Sequence, residues 1–343
     1  MRSKSENKRQ PAFAGRPFCW QIPLFLVLSL LIMTISLNVG YFKIPLRDTV
    51  LTLLGDESLE GSNIWFVIRN IRVPRILSAF FIGMGLSIAG ASFQGMFKNP
   101  LVAPDILGVS HGAGLGAALA LSMHLSGYSV QLYAFLFGIA SVSITYFIGS
   151  RAKFGQDVSL VLAGSMLAAL CSSLITMLKY LADPNDTLPA ITYWLMGSLS
   201  KTDWSSFLFS LTPITAGCIV LYLLRWKLNL LTIGDNECMS MGVNPKVVRL
   251  AAIGAATVVS AAAVCLGGLI GWVGLMIPHL ARGMVGADYR RLIPVTGLAG
   301  GSFLVLMDDL ARSLSSMEIP LGVLTAIMGA PFFVIFLVRR GKS

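Results

Sequence analysis

The sequence predicts an all-α, polytopic membrane protein with about ten transmembrane helices. Its mean hydropathy is +0.76 and only 12% of its residues are charged, which is far outside the soluble range. Its apolar runs are about 20 residues long, which is the length a helix needs to cross a bilayer. They are not the ten-residue alternating segments of a membrane β-barrel. The 343 residues therefore leave little length for a soluble domain.

The predicted spans follow one another with short connections, and each is assigned from its hydropathy and length. The runs cover 18–39, 73–95, 106–124, 129–149, 158–181, 205–224, 247–268, 270–285, 293–313 and 322–338. The seventh and eighth read almost continuously over 247–281, a helix of about 50 Å if unbroken. Because glycine tolerates turns, the break is predicted at Gly267, Gly268, Gly271 and Gly274.

Basic residues predict the orientation of the bundle. Most of the 26 Lys and Arg residues fall on the side of the N-terminus, and such residues accumulate in short cytoplasmic loops. Residues 1–17 and 339–343 are therefore predicted to be cytoplasmic tails of a single membrane domain over 18–338. The first run lacks a signal-peptide cleavage motif and is interpreted as a retained span. This charge distribution explains the net charge of +10 without nucleic acid.

Cysteine and histidine spacing predicts no metal site. The five cysteines lie singly, without a CxxC pair, and the three histidines are isolated in sequence. Structural thiols are the simpler interpretation. The same isolation argues against an intramembrane hydrolase, which needs a paired nucleophile and base or an HExxH motif.

A basic cluster stands where the orientation predicts few positive charges. Arg69, Arg72 and Arg75 fall on the external side, and Arg312 ends the ninth span on the same face. Two interpretations are open, which are snorkelling to lipid headgroups and docking of an acidic protein surface. Asp308 precedes Arg312 by one helical turn and can orient it.

The longest predicted cytoplasmic connection runs from Arg225 to Lys246. Asp235 is predicted to cap a short helix through Met241, and Gly242 to end it. Pro245 is predicted to begin a second helix. Two short helices below the membrane would form a platform for a partner, and the alternative is a solvated loop.

The segment from Phe93 to Gly114 interrupts an apolar run. Pro104 with Asp105 predicts a helix start on the cytoplasmic side, which places His111 in the first turns of the third span. A single histidine in a glycine-rich packing helix is more often hydrogen-bonded structure than a metal ligand.

Several ordered motifs resemble the FecCD-type permease family of ABC importers, which includes iron-siderophore, heme and cobalamin permeases. The similarity extends from about residue 65 to the end. The motifs are IRVPRIL at 71–77, Gln94, NPL at 99–101 with Asn99 and Pro100, Pro104, LGVSHGAG at 107–114 with Gly108, His111 and Gly112, YWLMGSL at 193–199, GGLIGWVGLMIPHLAR at 267–282 with Pro278 and His279, and EIPLGVLTAIMGAPFF at 318–333 with Glu318, Pro320 and Gly322.

The resemblance implies a cobalamin-permease-like type II ABC importer fold in the cytoplasmic membrane. It implies a homodimer, or a heterodimer with a related permease, that works with two ATPase subunits and an extracytoplasmic binding protein. Docking of that protein would use Arg72, Arg75 and Arg312. The cargo would be an iron-siderophore complex, with heme or cobalamin as alternatives on the same architecture. Asp309 departs from the apolar residue usual after the aspartate that matches Asp308.

The resemblance also assigns two moving parts. Coupling helices that meet the ATPase fall on 234–246, where Gly234, Asp235, Glu237, Met241 and Gly242 are the candidate residues. A short gating helix falls on 188–199.

The chain is predicted not to be an enzyme, since no Walker A motif is present. The nearest string, GKS at 341–343, lacks the required upstream glycine. ATP and Mg²⁺ are therefore expected on a partner subunit. An ion-coupled secondary transporter is the competing class, with a channel as a weaker alternative. Ion coupling normally places acidic residues at mid-membrane depth, whereas Asp157, Asp308 and Glu318 fall near helix ends.

Overall fold

The computed structural model describes residues 18–40, 42–55, 61–152, 155–315 and 317–340, so the predicted tails lie wholly or largely outside the described residues. The helices are α1 (Phe18–Ser36), α2 (Leu46–Leu54), α3 (Asn63–Phe66), α4 (Val73–Met96), α5 (Val109–Ser122), α6 (Tyr128–Arg151), α7 (Gln156–Leu181), α8 (Thr187–Met196), α9 (Trp204–Ile233), α10 (Asp235–Ser240), α11 (Pro245–Gly267), α12 (Val273–Val285), α13 (Tyr289–Ser313) and α14 (Leu321–Arg340). A π-helical stretch, Val67–Arg72, joins α3 to α4. A 3₁₀ turn, Pro104–Leu107, precedes α5.

Each of the ten predicted spans coincides with one helix, which confirms the all-α membrane fold. Six described helices are long and apolar enough to cross a membrane, and they cover 63–96, 128–151, 157–181, 204–233, 245–267 and 289–313. Shorter apolar helices over 20–36, 109–122, 273–285 and 321–334 account for the other runs.

Three helices form the centre of the bundle. The most apolar stretch of α4 is 78% buried and those of α11 and α13 are 72% buried, against 33% for α6, α7 and α9. Glycines allow the central helices to approach closely: a Cβ on Gly83 of α4 would lie 2.2 Å from the Gly300 carbonyl oxygen of α13. Such contacts replace the hydrophobic drive that is missing between helices in lipid.

Two short helices, α5 and α12, begin inside the bundle rather than at its end. A Cβ on Gly108, just before α5, would lie 3.3 Å from the Gly164 carbonyl oxygen, about 12 Å along α7. A Cβ on Gly274, in the first turn of α12, would lie 2.7 Å from the Leu86 carbonyl oxygen of α4. The predicted helix start at Pro104 is a 3₁₀ turn instead, because Gly108 adopts a positive φ of 82° and α5 begins only after it.

The break between the seventh and eighth spans lies where the glycines predict it. Helix α11 ends at Gly267, Gly268 has a φ of +71°, and α12 begins at Val273. Gly274 is helical, so it serves packing rather than the turn.

The sixth span is longer than its hydropathy predicts. Helix α9 continues to Ile233, nine residues beyond the predicted end at 224. The Arg225 guanidinium lies 3.8 Å from the centre of the Tyr222 ring, while Leu228 and Leu231 are buried. The charged residues therefore lie on one face of α9, and the other face of this helix remains packed.

Candidate functional site

One end of the bundle, called here the arginine end, is organised around Arg75 in the first turn of α4. Its Nε lies 3.0 Å from both carboxylate oxygens of Asp308 in α13. Its Nη1 and Nη2 donate to Glu318, at 2.7 and 3.0 Å. Arg75 therefore joins α4, α13 and the connection before α14 through two bidentate ion pairs.

Arg312 and Asp309 form a second pair beside the first. Asp309 accepts a hydrogen bond from the Ser36 hydroxyl at 2.6 Å and another from Arg312. Arg312 also donates to the Ser36 carbonyl oxygen at 2.9 Å, and its Nε lies 3.5 Å from Asp308. The acidic residue that had no predicted role therefore ties α13 to the end of α1.

Arg72 completes the arginine end by bonding to the backbone. It donates to the carbonyl oxygens of Leu37 and Phe42, just after α1. The π-helical stretch that ends at Arg72 keeps this side chain turned toward the bundle, where it is buried.

Three arginines of the cluster predicted on the external side are buried in the structure. Arg72, Arg75 and Arg312 are only 4%, 6% and 7% exposed. Acids distant in sequence neutralise Arg75, whereas Arg312 pairs within its own helix and Arg72 bonds to backbone carbonyl oxygens. Three arginines face three carboxylates here, Asp308, Asp309 and Glu318. Arg69 is the exposed member, with its guanidinium 5.3 Å from the centre of the Trp65 ring. Docking by the arginines stays a prediction.

The gating helix predicted over 188–199 corresponds to α8, and its end meets α14. The Leu321 amide donates to the Gly197 carbonyl oxygen at 2.9 Å, and the Ser198 amide donates to that of Gly267 at 2.9 Å. A Cβ on Gly322 would lie 2.5 Å from the Met196 carbonyl oxygen, so glycine is required for this approach. Glu318 and Pro320 lie in the connection that leads from Arg75 to this crossing of backbones.

The opposite end, called here the α10 end, carries the predicted coupling segment. Asp235 opens α10 and pairs with Arg249 of α11 through two hydrogen bonds of 3.0 Å. Arg249 is 8% exposed, so the pair fixes α10 against the start of α11. A cavity of about 560 Å³ opens beside it, lined also by Lys98 and Asp157.

The structure corrects two details of the coupling segment. Asp235 does not cap α10 with its side chain, because Arg249 holds its carboxylate. Pro245 begins the long helix α11, with Asn244 as its cap, so 234–246 contains one short helix rather than two. Gly242, with a φ of +74°, turns the chain between them as predicted.

The remaining coupling candidates line the same segment. Gly234 precedes α10, and a Cβ there would lie 2.0 Å from the Glu237 carboxylate, so Glu237 folds back over it. Met241 follows α10 and is 58% exposed. The surface of the connection is therefore partly apolar.

Gln94 holds the end of α4 to α12. Its side-chain nitrogen donates to the Leu275 carbonyl oxygen at 3.3 Å, and its oxygen accepts from Arg282 at 3.1 Å. Arg282 also lies 3.5 Å from the Tyr289 hydroxyl. Asn99 shapes the following turn by accepting from the Leu101 amide at 2.9 Å, with Pro100 between them.

The other signature residues lie around α5 and α12. Gly112 lets α5 pack on α6, since a Cβ there would lie 2.7 Å from the Phe137 carbonyl oxygen. His111 lies in the first turn of α5, where its Nδ1 is 3.3 Å from Asp105. Pro278 is buried inside α12, and the His279 ring lies edge-on to Phe332 at 6.3 Å.

Sequence reasoning missed Arg249, Arg282 and Tyr289. In the sequence, Arg249 only adds to the positive charge on the side of the N-terminus, although it follows Asp235 across a single turn between helices. Arg282 ends a quoted motif but was given no partner. An arginine within an otherwise apolar span was the available signal, because such a charge is stable there only when it is paired.

Comparison with known proteins places these features in a family. The model of the FecCD transport family matches residues 27–339. The chain belongs to the FecCD transport family. It is 37% identical to the molybdate import system permease protein of Haemophilus influenzae, with 93% of this chain and 96% of that protein covered.

Other FecCD relatives show the same extent of similarity. The hemin transport system permease protein of Yersinia pestis is 36% identical, with 93% and 96% of the two chains covered. The Fe(3+) dicitrate transport system permease protein FecD of Escherichia coli is 38% identical, with 89% and 94% covered. A solved structure described as an inward-facing metal-chelate type ABC transporter matches with a TM-score of 0.84 and 35% identity, covering 93% and 98%. The chain is therefore a membrane permease of an ABC importer.

Proposed function

We propose that this permease carries a ferric chelate of the siderophore class across the cytoplasmic membrane into the cell. The observation that carries the proposal is the pair of charged sites at opposite ends of the bundle, around Arg75 and around the Asp235–Arg249 pair. A transporter that receives cargo from one protein and energy from another needs one docking site at each end. The hemin and ferric dicitrate permeases among the relatives support an iron complex.

The arginine end would face outward and receive a substrate-loaded binding protein. Because Arg75 is already neutralised, docking would proceed by exchange, in which a carboxylate of the binding protein replaces Glu318. Glu318 is the most accessible acid of the cluster, with its side chain 35% exposed against 1% for Asp308. Displaced Glu318 would release the connection to α14 and, through Gly322, the end of α8. Docking would then loosen the gate.

The α10 end would face the cytoplasm, together with both termini, and bind two ATPase subunits that hold ATP and Mg²⁺. Helix α10 and the exposed Met241 that follows it would enter a groove on each ATPase. The Asp235–Arg249 pair would transmit the closure of the two ATPase subunits to α11. The C-terminal end of α11 leads into the break at 267–272. Two copies of this permease, or one copy with a related permease, would enclose the path.

Molybdate is the second candidate cargo, since a permease of that specificity is 37% identical over nearly the full chain. Heme is a third, supported by the hemin permease, and cobalamin import by the same architecture stays an alternative. Each of these candidate cargoes presents at least one oxygen atom that carries negative charge.

Uptake into proteoliposomes tests the proposal. The vesicles would hold the permease, its ATPase and its binding protein, and would be offered ⁵⁵Fe-labelled hydroxamate and catecholate siderophores, ⁵⁵Fe-citrate, heme, cobalamin or ⁹⁹Mo-molybdate. ATP-dependent accumulation of a siderophore above the others is expected. Accumulation of molybdate, heme or cobalamin alone would overturn the cargo, and accumulation driven by an ion gradient without ATP would overturn the mechanism.

A further inference from the structure

A cavity of about 140 Å³ lies between the beginnings of α5 and α12 and opens to the surface beside the exposed Gly271. Its polar lining comes from Asp105, Ser110, His111 and Ser260, and part of its apolar wall comes from Leu86 and Ile270. Helix α12 is 13 residues long and directs the positive end of its dipole toward this space. Nothing in the docking or coupling sites uses these side chains.

Ser260 provides an independent sign that the cavity binds something. The residue is 1% exposed, and within the described part of the chain its hydroxyl has no hydrogen-bond partner. A buried hydroxyl left unpaired is destabilising, so such groups are uncommon in folded proteins. A transient ligand in the cavity would give this hydroxyl a partner.

Trp272, at the entrance to α12, is held in a backbone conformation that few side chains adopt. Its φ is +68°, and its ring is fixed by Gly329, where a Cβ would lie 2.6 Å from the tryptophan. Strain of this kind persists only where the surroundings impose it, and it concentrates at functional sites. Trp272 and the first turn of α12, with Gly274 and Leu275, line the cavity.

Asp105 has two partners within the site. One carboxylate oxygen accepts from the Ser110 amide at 2.9 Å, and the other lies 3.3 Å from His111 Nδ1, an ion-pair distance without hydrogen-bond alignment. The Nε2 of His111, the Ser260 hydroxyl and the α12 dipole remain for a ligand. The Ser260 hydroxyl and the α12 dipole favour an oxygen atom that carries negative charge, and Nε2 adds a donor when the His111 ring carries both protons.

We propose that this cavity is a transit site for one anionic oxygen group of the cargo, such as a carboxylate, a hydroxamate or an oxyanion. The inference rests on the proposed function and adds the contact that the cargo makes within the membrane. A volume of 140 Å³ is below the roughly 300–1,000 Å³ of pockets that enclose whole ligands, so the site takes one group of a larger complex. Among the described residues no three His, Cys, Asp or Glu side chains gather to hold a metal.

Protection of an introduced thiol tests the site without transport. Gly271 lies at the cavity, is exposed and has open space for a side chain, so Gly271→Cys provides the label in the full complex in nanodiscs. Molybdate and ferric citrate are expected to slow its reaction with a charged methanethiosulfonate reagent. Adding His111→Asn or Ser260→Ala should raise the half-protecting concentration about fivefold, the effect of losing one hydrogen bond of about 1 kcal/mol.

Two matched variants serve as controls. His124→Asn changes an exposed histidine at the other end of α5, at a positive φ of 56° that asparagine tolerates. Ser87→Ala removes another buried hydroxyl without a described partner, one that does not line the cavity. Both should leave protection unchanged. The site would be overturned if neither molybdate nor ferric citrate protected the thiol, or if the test and control variants had equal effects. Protection of the thiol without uptake of a siderophore would overturn only the proposed cargo.

Discussion

Arg75 holds Asp308 on one side of its guanidinium and Glu318 on the other. Asp308 is almost completely buried, while the Glu318 side chain is 35% exposed, so the two carboxylates are not equivalent. The first fixes α4 to α13 within the bundle. The second is a replaceable counter-ion that stands three residues before α14. Because the two carboxylates differ in exposure, we expect Glu318 to affect docking and Asp308 to affect stability.

Glu318→Gln should strengthen docking of the binding protein. The change removes the carboxylate that competes for Arg75 and leaves Asp308 in place, so a partner carboxylate gains access. We expect the Kd to fall about fivefold, equivalent to about 1 kcal/mol, and to become more sensitive to salt. Surface plasmon resonance with the permease complex in nanodiscs measures it.

The control is Asp186→Asn, which removes an exposed carboxylate at the start of α8 whose side chain does not cap that helix. It should leave the Kd within about twofold of the wild-type value, because removing an exposed charge usually has a small effect. Weaker docking by Glu318→Gln would mean that Glu318 supports the docking surface rather than competes for it.

Asp308→Asn should destabilise the permease more than Glu318→Gln does. Removing one partner of a buried ion pair leaves an uncompensated charge and is destabilising by about 3–5 kcal/mol, whereas a partly exposed pair contributes about 1 kcal/mol or less. Thermal unfolding of the two variants in the same detergent gives the order. An equal fall in Tm would show that Glu318 is as structural as Asp308.

The positions of the spans were predictable because hydropathy and span length are local properties. The end of α9 was not, since Arg225 and Lys227 have the composition of a loop. The helix continues because Leu228 and Leu231 on the same stretch are buried against the core. A window average cannot distinguish one charged face of a packed helix from a solvated turn.

The arginine end shows a different limit. The sequence identifies Arg72, Arg75 and Arg312 as charges that need a reason, and the family assigns them to docking. It does not reveal that Glu318, 243 residues after Arg75, neutralises that side chain. Pairing across such a separation depends on how α4, α13 and α14 pack. The burial of the cluster therefore required the structure.

Asp235→Ala should uncouple ATP hydrolysis from transport. Without the carboxylate, Arg249 loses both described hydrogen bonds and α10 is no longer fixed against α11. We expect the number of cargo molecules carried per ATP hydrolysed to fall at least tenfold, corresponding to about 1.4 kcal/mol, while the ATPase stays bound. Parallel uptake and phosphate-release assays in proteoliposomes measure the ratio.

Lys246→Gln is the matched control for that variant, since Lys246 is exposed in the first turn of α11 and its charge is removed without touching the pair. Its ratio should equal that of the wild type. If Asp235→Ala kept the wild-type ratio of cargo to ATP, closure of the ATPase would be transmitted through the backbone of this connection or through Met241 instead.

Gly90→Ala should destabilise the bundle, while Gly254→Ala should not. A Cβ on Gly90 would lie 1.8 Å from the Gly274 carbonyl oxygen, so α4 and α12 must separate. Gly254, on the exposed face of α11, has nothing within 4 Å of the added atom, and alanine there gains up to about 1 kcal/mol of helix propensity. Thermal unfolding should therefore move in opposite directions for the two variants. The first turn of α12 also lines the cavity, so Gly90→Ala should weaken thiol protection at Gly271→Cys, whereas Gly254→Ala should not. A normal Tm together with normal protection in Gly90→Ala would show that α12 shifts freely along α4.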